Sequence, residues 1–88
     1  MTSQEFMVKA KQLVADYTNE HSDATDKATP IQVEDVYIVW MCKTLQNHKA
    51  LASTPRHDGM YYELTYNGDK NELYLDAYKK FENRCVKA

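Results

Sequence analysis

The fold is decided by Gly59-Met60-Tyr61-Tyr62-Glu63-Leu64-Thr65-Tyr66-Asn67-Gly68-Asp69-Lys70-Asn71-Glu72-Leu73-Tyr74-Leu75, in which two runs of β-favouring residues flank an Asn-Gly dipeptide. An Asn-Gly dipeptide between alternating apolar residues is typical of a tight turn that joins two antiparallel strands. The alternation puts Tyr62, Leu64 and Tyr66 on one face of the first strand and Tyr61 on the other. We therefore expect a β-hairpin with one face wetter than the other.

The end of the hairpin has two interpretations. The return strand is expected over about residues 71–75, after which apolar residues recur at helical spacing. This spacing predicts a final helix over residues 76–86. In the second interpretation the return strand continues to about Tyr78, because Leu73, Leu75 and Ala77 also alternate.

The N-terminal segment has the pattern of an amphipathic helix over about residues 3–20. Thr2-Ser3-Gln4-Glu5 has the spacing of a capping box, in which Thr2 and Glu5 each bond the other's backbone amide. The apolar stripe that follows is formed by Phe6, Ala10, Leu13, Val14 and Tyr17. Residues 19–29 contain no large apolar side chain, so we expect a mobile connection there.

A second helix is predicted from about residue 30 to residue 51. Its start signal is Thr29-Pro30, with an alternative start between Gln32 and Asp35. One helical face is formed by Val33, Val36, Tyr37, Trp40, Met41, Thr44, Leu45 and His48. Further apolar residues widen this face, so the helix is expected at the centre of the core, around Trp40. Residues 49–54 are either a short third strand or the frayed end of this helix.

These elements predict one α+β domain spanning residues 1–88, with two N-terminal helices, an antiparallel β-hairpin or three-stranded meander, and a C-terminal helix. Of the 88 residues, 43% are hydrophobic and 27% charged, which is typical of a folded globular chain. No apolar run is long enough to span a membrane and no signal peptide is recognisable, so we expect a cytoplasmic protein. Cys42 and Cys85 are expected to be reduced and mostly buried.

The sequence predicts no catalytic residue, no metal site and no cofactor. The three histidines stand far apart, and neither cysteine belongs to a Cys-x-x-Cys pair. Cys42 and His48 are interpreted as packing residues of the second helix rather than as a nucleophile and its base. The adjacent pair His57-Asp58 is the remaining acid–base candidate, but turn formation before Gly59 explains it without any substrate and is the preferred interpretation.

Tyrosines and lysines near the C-terminus are the candidate partner-binding residues: Tyr61, Tyr78, Lys79, Lys80 and Arg84. Aromatic rings on a sheet can anchor a partner protein or stack on nucleobases. Acidic residues interleave with these tyrosines and the net charge is −2, so contact with a protein is favoured over nucleic acid. The basic C-terminal end keeps a regulatory nucleic-acid binder as the alternative, and a small enzyme centred on His57-Asp58 comes third.

Two segments carry a resemblance to a known family. They are residues 35–51, with the wording Cys42-Lys43-Thr44-Leu45-Gln46-Asn47, and residues 60–72, with Tyr66-Asn67-Gly68-Asp69-Lys70-Asn71-Glu72. The chain resembles a small uncharacterised family, a domain of unknown function, of phages and prophages of Gram-positive bacteria. The resemblance implies a phage protein that works in the cytoplasm of the infected host cell. For such a protein our first hypothesis is an accessory protein that binds a host or phage protein through the exposed sheet face or edge, either alone or as a homodimer. It assigns no catalytic role to any residue.

Overall fold

The computed structural model describes residues 1–21 and 29–87. One helix, α1 (Ser3–Glu20), is followed by a single 3-10 turn (Val33–Asp35) and four strands: β1 (Tyr37–Thr44), β2 (Asn47–Ser53), β3 (Met60–Asn67) and β4 (Glu72–Lys79). The strands form one antiparallel sheet in the order β1-β2-β3-β4, so every strand pairs with its neighbour in sequence. The architecture is a helix on one face of a four-stranded meander.

The N-terminal helix is confirmed, including its cap. The Glu5 backbone N–H donates to Thr2 Oγ1 at 3.1 Å, and the Thr2 N–H donates to Glu5 Oε1 at 3.1 Å. Most of the connection predicted over residues 19–29 lies outside the described residues. Where the chain is described again, the backbone of Ile31 forms two hydrogen bonds with the side chain of Asn19, at 2.8 and 2.9 Å. These bonds hold the chain after the connection against the end of α1.

The predicted second helix is wrong, and β1 and β2 occupy its place. Val36-Tyr37-Ile38-Val39-Trp40 is built of β-branched and aromatic residues, which pack well on a pleated surface and poorly against a helical turn. The run is apolar at almost every position, so its spacing suits either period. Residues 49–54, considered as a short strand, belong to β2 and the residue after it.

Two irregularities hid the first hairpin from the sequence. Its turn is Leu45-Gln46, and Leu45 has a φ of 55°, a left-handed conformation that glycine or asparagine usually supplies. A bulge lies between Ile38 and Trp40, where one extra residue shifts the register against β2. The bulge breaks the strict alternation by which a strand is recognised.

The second hairpin is confirmed, whereas the C-terminal helix is wrong. β3 and β4 pair over their whole length, from Met60 with Lys79 to Asn67 with Glu72. The return strand therefore continues one residue past Tyr78, as in the second interpretation of the sequence, and residues 80–87 have no regular structure. β4 is extended because it pairs along the full eight residues of β3, and this pairing outweighs a weak helical spacing.

The core lies between α1 and the face of the sheet that it covers, which we call the inner face. The sheet contributes these side chains to the inner face: Ile38, Met41, His48, Ala50, Ala52, Tyr62, Leu64, Tyr66, Leu73 and Leu75. Phe6 of α1 stacks on His48 with ring centroids 5.0 Å apart, and Tyr17 meets the edge of Tyr62 at 5.6 Å. The small residues of β2 let the helix approach closely. Trp40, expected at the centre, is 45% exposed on the opposite face.

Candidate interaction surface

The face of the sheet opposite α1, here called the outer face, is not covered by any described element. Strand alternation and register place on it Tyr37, Trp40, Cys42, Lys49, Leu51, Tyr61, Glu63, Thr65, Tyr74, Asp76 and Tyr78. α1 packs only on the inner face because that side presents alanine in β2 and the large buried side chains in β3. The outer face therefore meets solvent across all four strands.

Aromatic side chains dominate this face. Tyr37, Trp40, Tyr61, Tyr74 and Tyr78 are each between 39% and 50% exposed. Tyr61 and Tyr78 are opposite each other in the register and stack, with ring centroids 5.3 Å apart and planes inclined by 15°. An aromatic side chain has about 150–250 Å² of surface, so the five half-exposed rings present roughly 400 Å². The register places three of these rings in one cross-strand row and the other two in the next two rows, so exposed aromatic surface is spread over much of the face. Exposed apolar surface of this total area, bordered by polar residues, is often part of a binding surface.

The charges on the outer face are mainly negative. Lys49 Nζ forms an ion pair with Glu63 Oε1 at 2.8 Å, and this hydrogen bond raises the pKa of Lys49. Glu63 is directly opposite Asp76 on β4, and Glu72 lies on the same side near the end of that strand. Within the part of the chain that the structure describes, Asp76 forms no ion pair. Lys49 also interacts electrostatically with Asp76, so the described face combines exposed rings with more carboxylates than cations.

The segment of residues 80–87, here called the tail, leaves the sheet at the end of β4. The Lys80 N–H donates to the Gly59 carbonyl at 2.6 Å, which extends the pairing by one residue. Beyond it every described residue is exposed, and Phe81 is fully exposed, at 101%. Arg84 pairs only with Glu82 of the same segment, at 3.3 Å. The tail contains three cations and one carboxylate, so it is basic.

The structure separates the five predicted partner-binding residues into three places. Tyr61 and Tyr78 lie stacked on the outer face, Lys79 is the last residue of β4 opposite Met60, and Lys80 and Arg84 belong to the tail. All five are exposed.

Sequence reasoning missed Tyr37, Trp40 and Tyr74, the other aromatic residues of the outer face. Tyr74 could have been found, because it alternates with the apolar residues of its strand. Tyr37 and Trp40 were assigned to a helix. They are three residues apart, and only the bulge between Ile38 and Trp40 places both on the same face of the strand.

The residues considered for chemistry lie apart. Cys42 pairs in register with Lys49, and Lys43 with His48. The Cys42 thiol and the His48 imidazole therefore leave the sheet on opposite faces. Both residues nevertheless line a shallow hollow of about 210 Å³. Both cysteines are free and exposed, not buried as expected. The Asp58 carboxylate accepts from the Met60 N–H at 3.0 Å, as in a turn, and His57 is exposed.

Residues 1–21 and 29–87 show no sign of a metal site or of a membrane-spanning helix. Among them, no group of three or more histidine, cysteine, aspartate or glutamate residues is arranged to hold a metal ion. Within the same ranges, no helix combines the length and the apolar character needed to cross a bilayer.

Comparison with known protein families finds a match over residues 7–88, to the family of unknown function DUF6275. The match covers nearly the whole chain. The chain belongs to DUF6275. The expected resemblance to a domain of unknown function is thereby confirmed. Neither the curated proteins nor the solved structures contain a match to this DUF6275 chain.

Proposed function

We propose that the protein is a non-enzymatic accessory protein, of phage or prophage origin and acting in the host cytoplasm, that binds another protein through its outer face. The observation that supports this proposal is the presence of five half-exposed aromatic side chains on a sheet face that no described element covers. Burying such rings is the main source of energy at protein interfaces, where tryptophan and tyrosine are frequent anchors.

The chemistry of the outer face restricts the kind of partner. Asp76 and Glu63 lie side by side and both interact with Lys49, so this part of the face has an excess of negative charge that favours a partner with cations. The aromatic rings favour apolar or aromatic side chains around those cations. The partner that fits is a protein segment with lysine or arginine next to large apolar side chains.

A capture experiment tests this function. The immobilised protein is exposed to nuclease-treated lysate of infected host cells, beside the double variant Trp40→Ser/Tyr74→Ser and the control Val8→Ser. Val8 is 53% exposed on α1, away from the outer face, so its replacement controls for loss of an exposed apolar side chain. A protein retained by the wild type and the control and lost from the double variant supports the proposal. Equal retention by all three, or retention of nothing, contradicts it, provided that circular dichroism shows the double variant folded.

A regulatory nucleic-acid binder is the second candidate. The stacked Tyr61–Tyr78 pair lies on the outer face at the end of β4 from which the basic tail leaves, so a ring platform and the cations of the tail belong to neighbouring parts of the chain. Under this hypothesis, binding to single-stranded DNA weakens with added salt and is abolished by Lys79→Glu/Lys80→Glu. If the double charge reversal leaves binding unchanged, or if no shift occurs at low salt, this candidate is excluded.

A further inference from the structure

We infer that the tail of one copy of this protein binds across the outer face of a second copy, so that the chain forms a symmetric dimer by reciprocal exchange of tails. This inference rests on the proposed function and names a partner for the same face. Among the described residues, neither the outer face nor the tail is covered by another element. The face has an excess of negative charge and the tail an excess of positive charge.

Charge and apolar character are complementary between the two parts. The tail contains Lys80, Arg84 and Lys87 with one carboxylate, whereas the outer face contains Asp76 and Glu63 with Lys49 as its one cation. The tail also carries Phe81 and Val86, exposed at 101% and 74%, and the face offers half-exposed rings. The tail therefore has both of the features required of a partner segment, cations and large apolar side chains.

The path of the chain favours a second copy over the tail's own sheet. Lys80 is still hydrogen-bonded to Gly59 at the end of the β3–β4 ladder, so the tail leaves the sheet in the direction of β4. To cross its own outer face, the chain would have to reverse within the next few residues, which contain no glycine or proline and form no turn. The radius of gyration is 14.5 Å, compared with about 12 Å for a compact chain of this length.

The dimensions also suit this arrangement. Eight extended residues reach up to about 26 Å, which exceeds the roughly 14 Å between the first and last of four strands. A stable dimer buries about 800 Å² per partner, roughly twice the aromatic area of the outer face. In a two-fold arrangement each copy gives a tail and receives one, so the missing area is supplied by the tails.

Sedimentation analysis of the full chain provides the first test. A dimer is expected at about 100 μM protein. Trp40→Ser on the face and Phe81→Ser on the tail are each expected to raise the dissociation constant at least about 30-fold, as for buried interface anchors. Val8→Ser on α1 is expected to leave it unchanged. A wild-type monomer at this concentration, or a dimer that neither substitution weakens, overturns the inference.

A charge exchange tests the pairing itself. Asp76→Lys and Arg84→Glu are each expected to weaken the dimer about tenfold, and the double variant to recover most of this loss, because an opposite pair is restored with its signs reversed. Additive losses in the double variant contradict the pairing of the tail with the face.

The native cysteines provide a covalent readout, since Cys42 lies on the outer face and Cys85 in the tail. Oxidation with copper phenanthroline, which takes two electrons and two protons from a thiol pair, should give a Cys42–Cys85 disulfide. Mixing isotope-labelled and unlabelled chains tells whether the bond joins two copies. A bond between copies supports the inference. A bond within one copy, or only Cys85–Cys85 links, overturns it.

The two proposals fail in distinguishable ways. A monomer that still captures a lysate protein through its outer face overturns the tail exchange and leaves the proposed function in place. If the wild type forms the tail-exchanged dimer but the Trp40→Ser/Tyr74→Ser variant captures the same lysate proteins as the wild type, the binding of other proteins through the outer face is refuted. The dimer then stands.

Discussion

Tyr62 joins the helix to the sheet through a single side chain. It is 1% exposed, and its hydroxyl lies 3.3 Å from Thr18 Oγ1 of α1. Burial disfavours the phenolate, and this raises the pKa of Tyr62 above its usual value of 10.0. The folded chain therefore holds the Tyr62 proton more tightly than the unfolded chain does.

This difference in proton affinity predicts how the free energy of unfolding changes at alkaline pH. The folded-state pKa is raised, so the stabilising contribution is complete below about pH 10 and is lost as the pH rises through the folded-state value. Tyr62→Phe is expected to lower the free energy of unfolding at pH 7 by about 0.5–1.5 kcal/mol, the worth of its hydrogen bond. The variant is also expected to lose less stability than the wild type above pH 10. Urea titrations at several pH values measure both effects.

Tyr37→Phe is the matched control, since it removes a tyrosine hydroxyl from the exposed outer face. At pH 7 its free energy of unfolding should stay within about 0.5 kcal/mol of the wild type. A Tyr62→Phe profile that falls as steeply as the wild type above pH 10 would show that Tyr62 does not set the alkaline limit.

At the scale of single elements, each hairpin depends on its turn. The β3–β4 hairpin was predictable because Asn67-Gly68 is a recognised turn signal between alternating strands. The β1–β2 hairpin was not, because Leu45 adopts a left-handed conformation that its residue type does not announce. The turns also touch, and the Gly68 N–H donates to Asn47 Oδ1 at 2.9 Å. The first turn is thus supported by the second, a tertiary contact that no local pattern reveals.

The cap of α1 supports a prediction at the same scale. Thr2→Ala is expected to lower the free energy of unfolding by about 1 kcal/mol, because it leaves the Glu5 amide without its acceptor. Hydrogen bonding to Thr2 lowers the pKa of Glu5, so this carboxylate's contribution is present above about pH 4.5 and is lost as the pH falls through its lowered value. Because alanine keeps the backbone N–H that bonds Glu5 and loses only the hydroxyl, denaturant titration should show both chains losing stability between pH 7 and pH 3, with a slightly smaller effect of Thr2→Ala at pH 3.

Gln4→Ala is the control for the cap, since it changes an exposed residue of the same helical turn. It should leave the free energy of unfolding within about 0.5 kcal/mol of the wild type at both pH values. Equal losses from the two substitutions would mean that the capping box contributes nothing specific.

At the scale of the whole molecule, an α+β class with an N-terminal helix followed by a hairpin could be predicted from the sequence, and the position of the binding surface could not. Assigning Trp40 to a central helix removed one strand pair from the sheet and hid the outer aromatic row. Two tyrosines of that row, Tyr61 and Tyr78, were identified because they lie in the recognisable hairpin. Which face α1 covers depends on the small residues Ala50 and Ala52 of β2, whose role is visible only once β2 is paired.

The tail gives a prediction that concerns the whole fold. Residues 81–87 are all exposed, so a chain that ends at Lys80 should keep the free energy of unfolding of the full chain within about 0.5 kcal/mol. The measurement is made at protein concentrations low enough to keep both chains monomeric, because association would itself stabilise the full chain. A larger loss for the shortened monomer would mean that the tail packs on its own sheet.

The meander order of the strands has a consequence for how the chain folds. Each strand pairs with the next one along the chain, so the sheet can grow by closing short loops, at low entropic cost. Docking of α1 on β2 and β3 brings together residues far apart in sequence, as in the contact of Phe6 with His48. The slow step of folding should therefore be the docking of α1 on a sheet whose strands are already paired. Until α1 docks, the apolar inner face would be exposed to solvent.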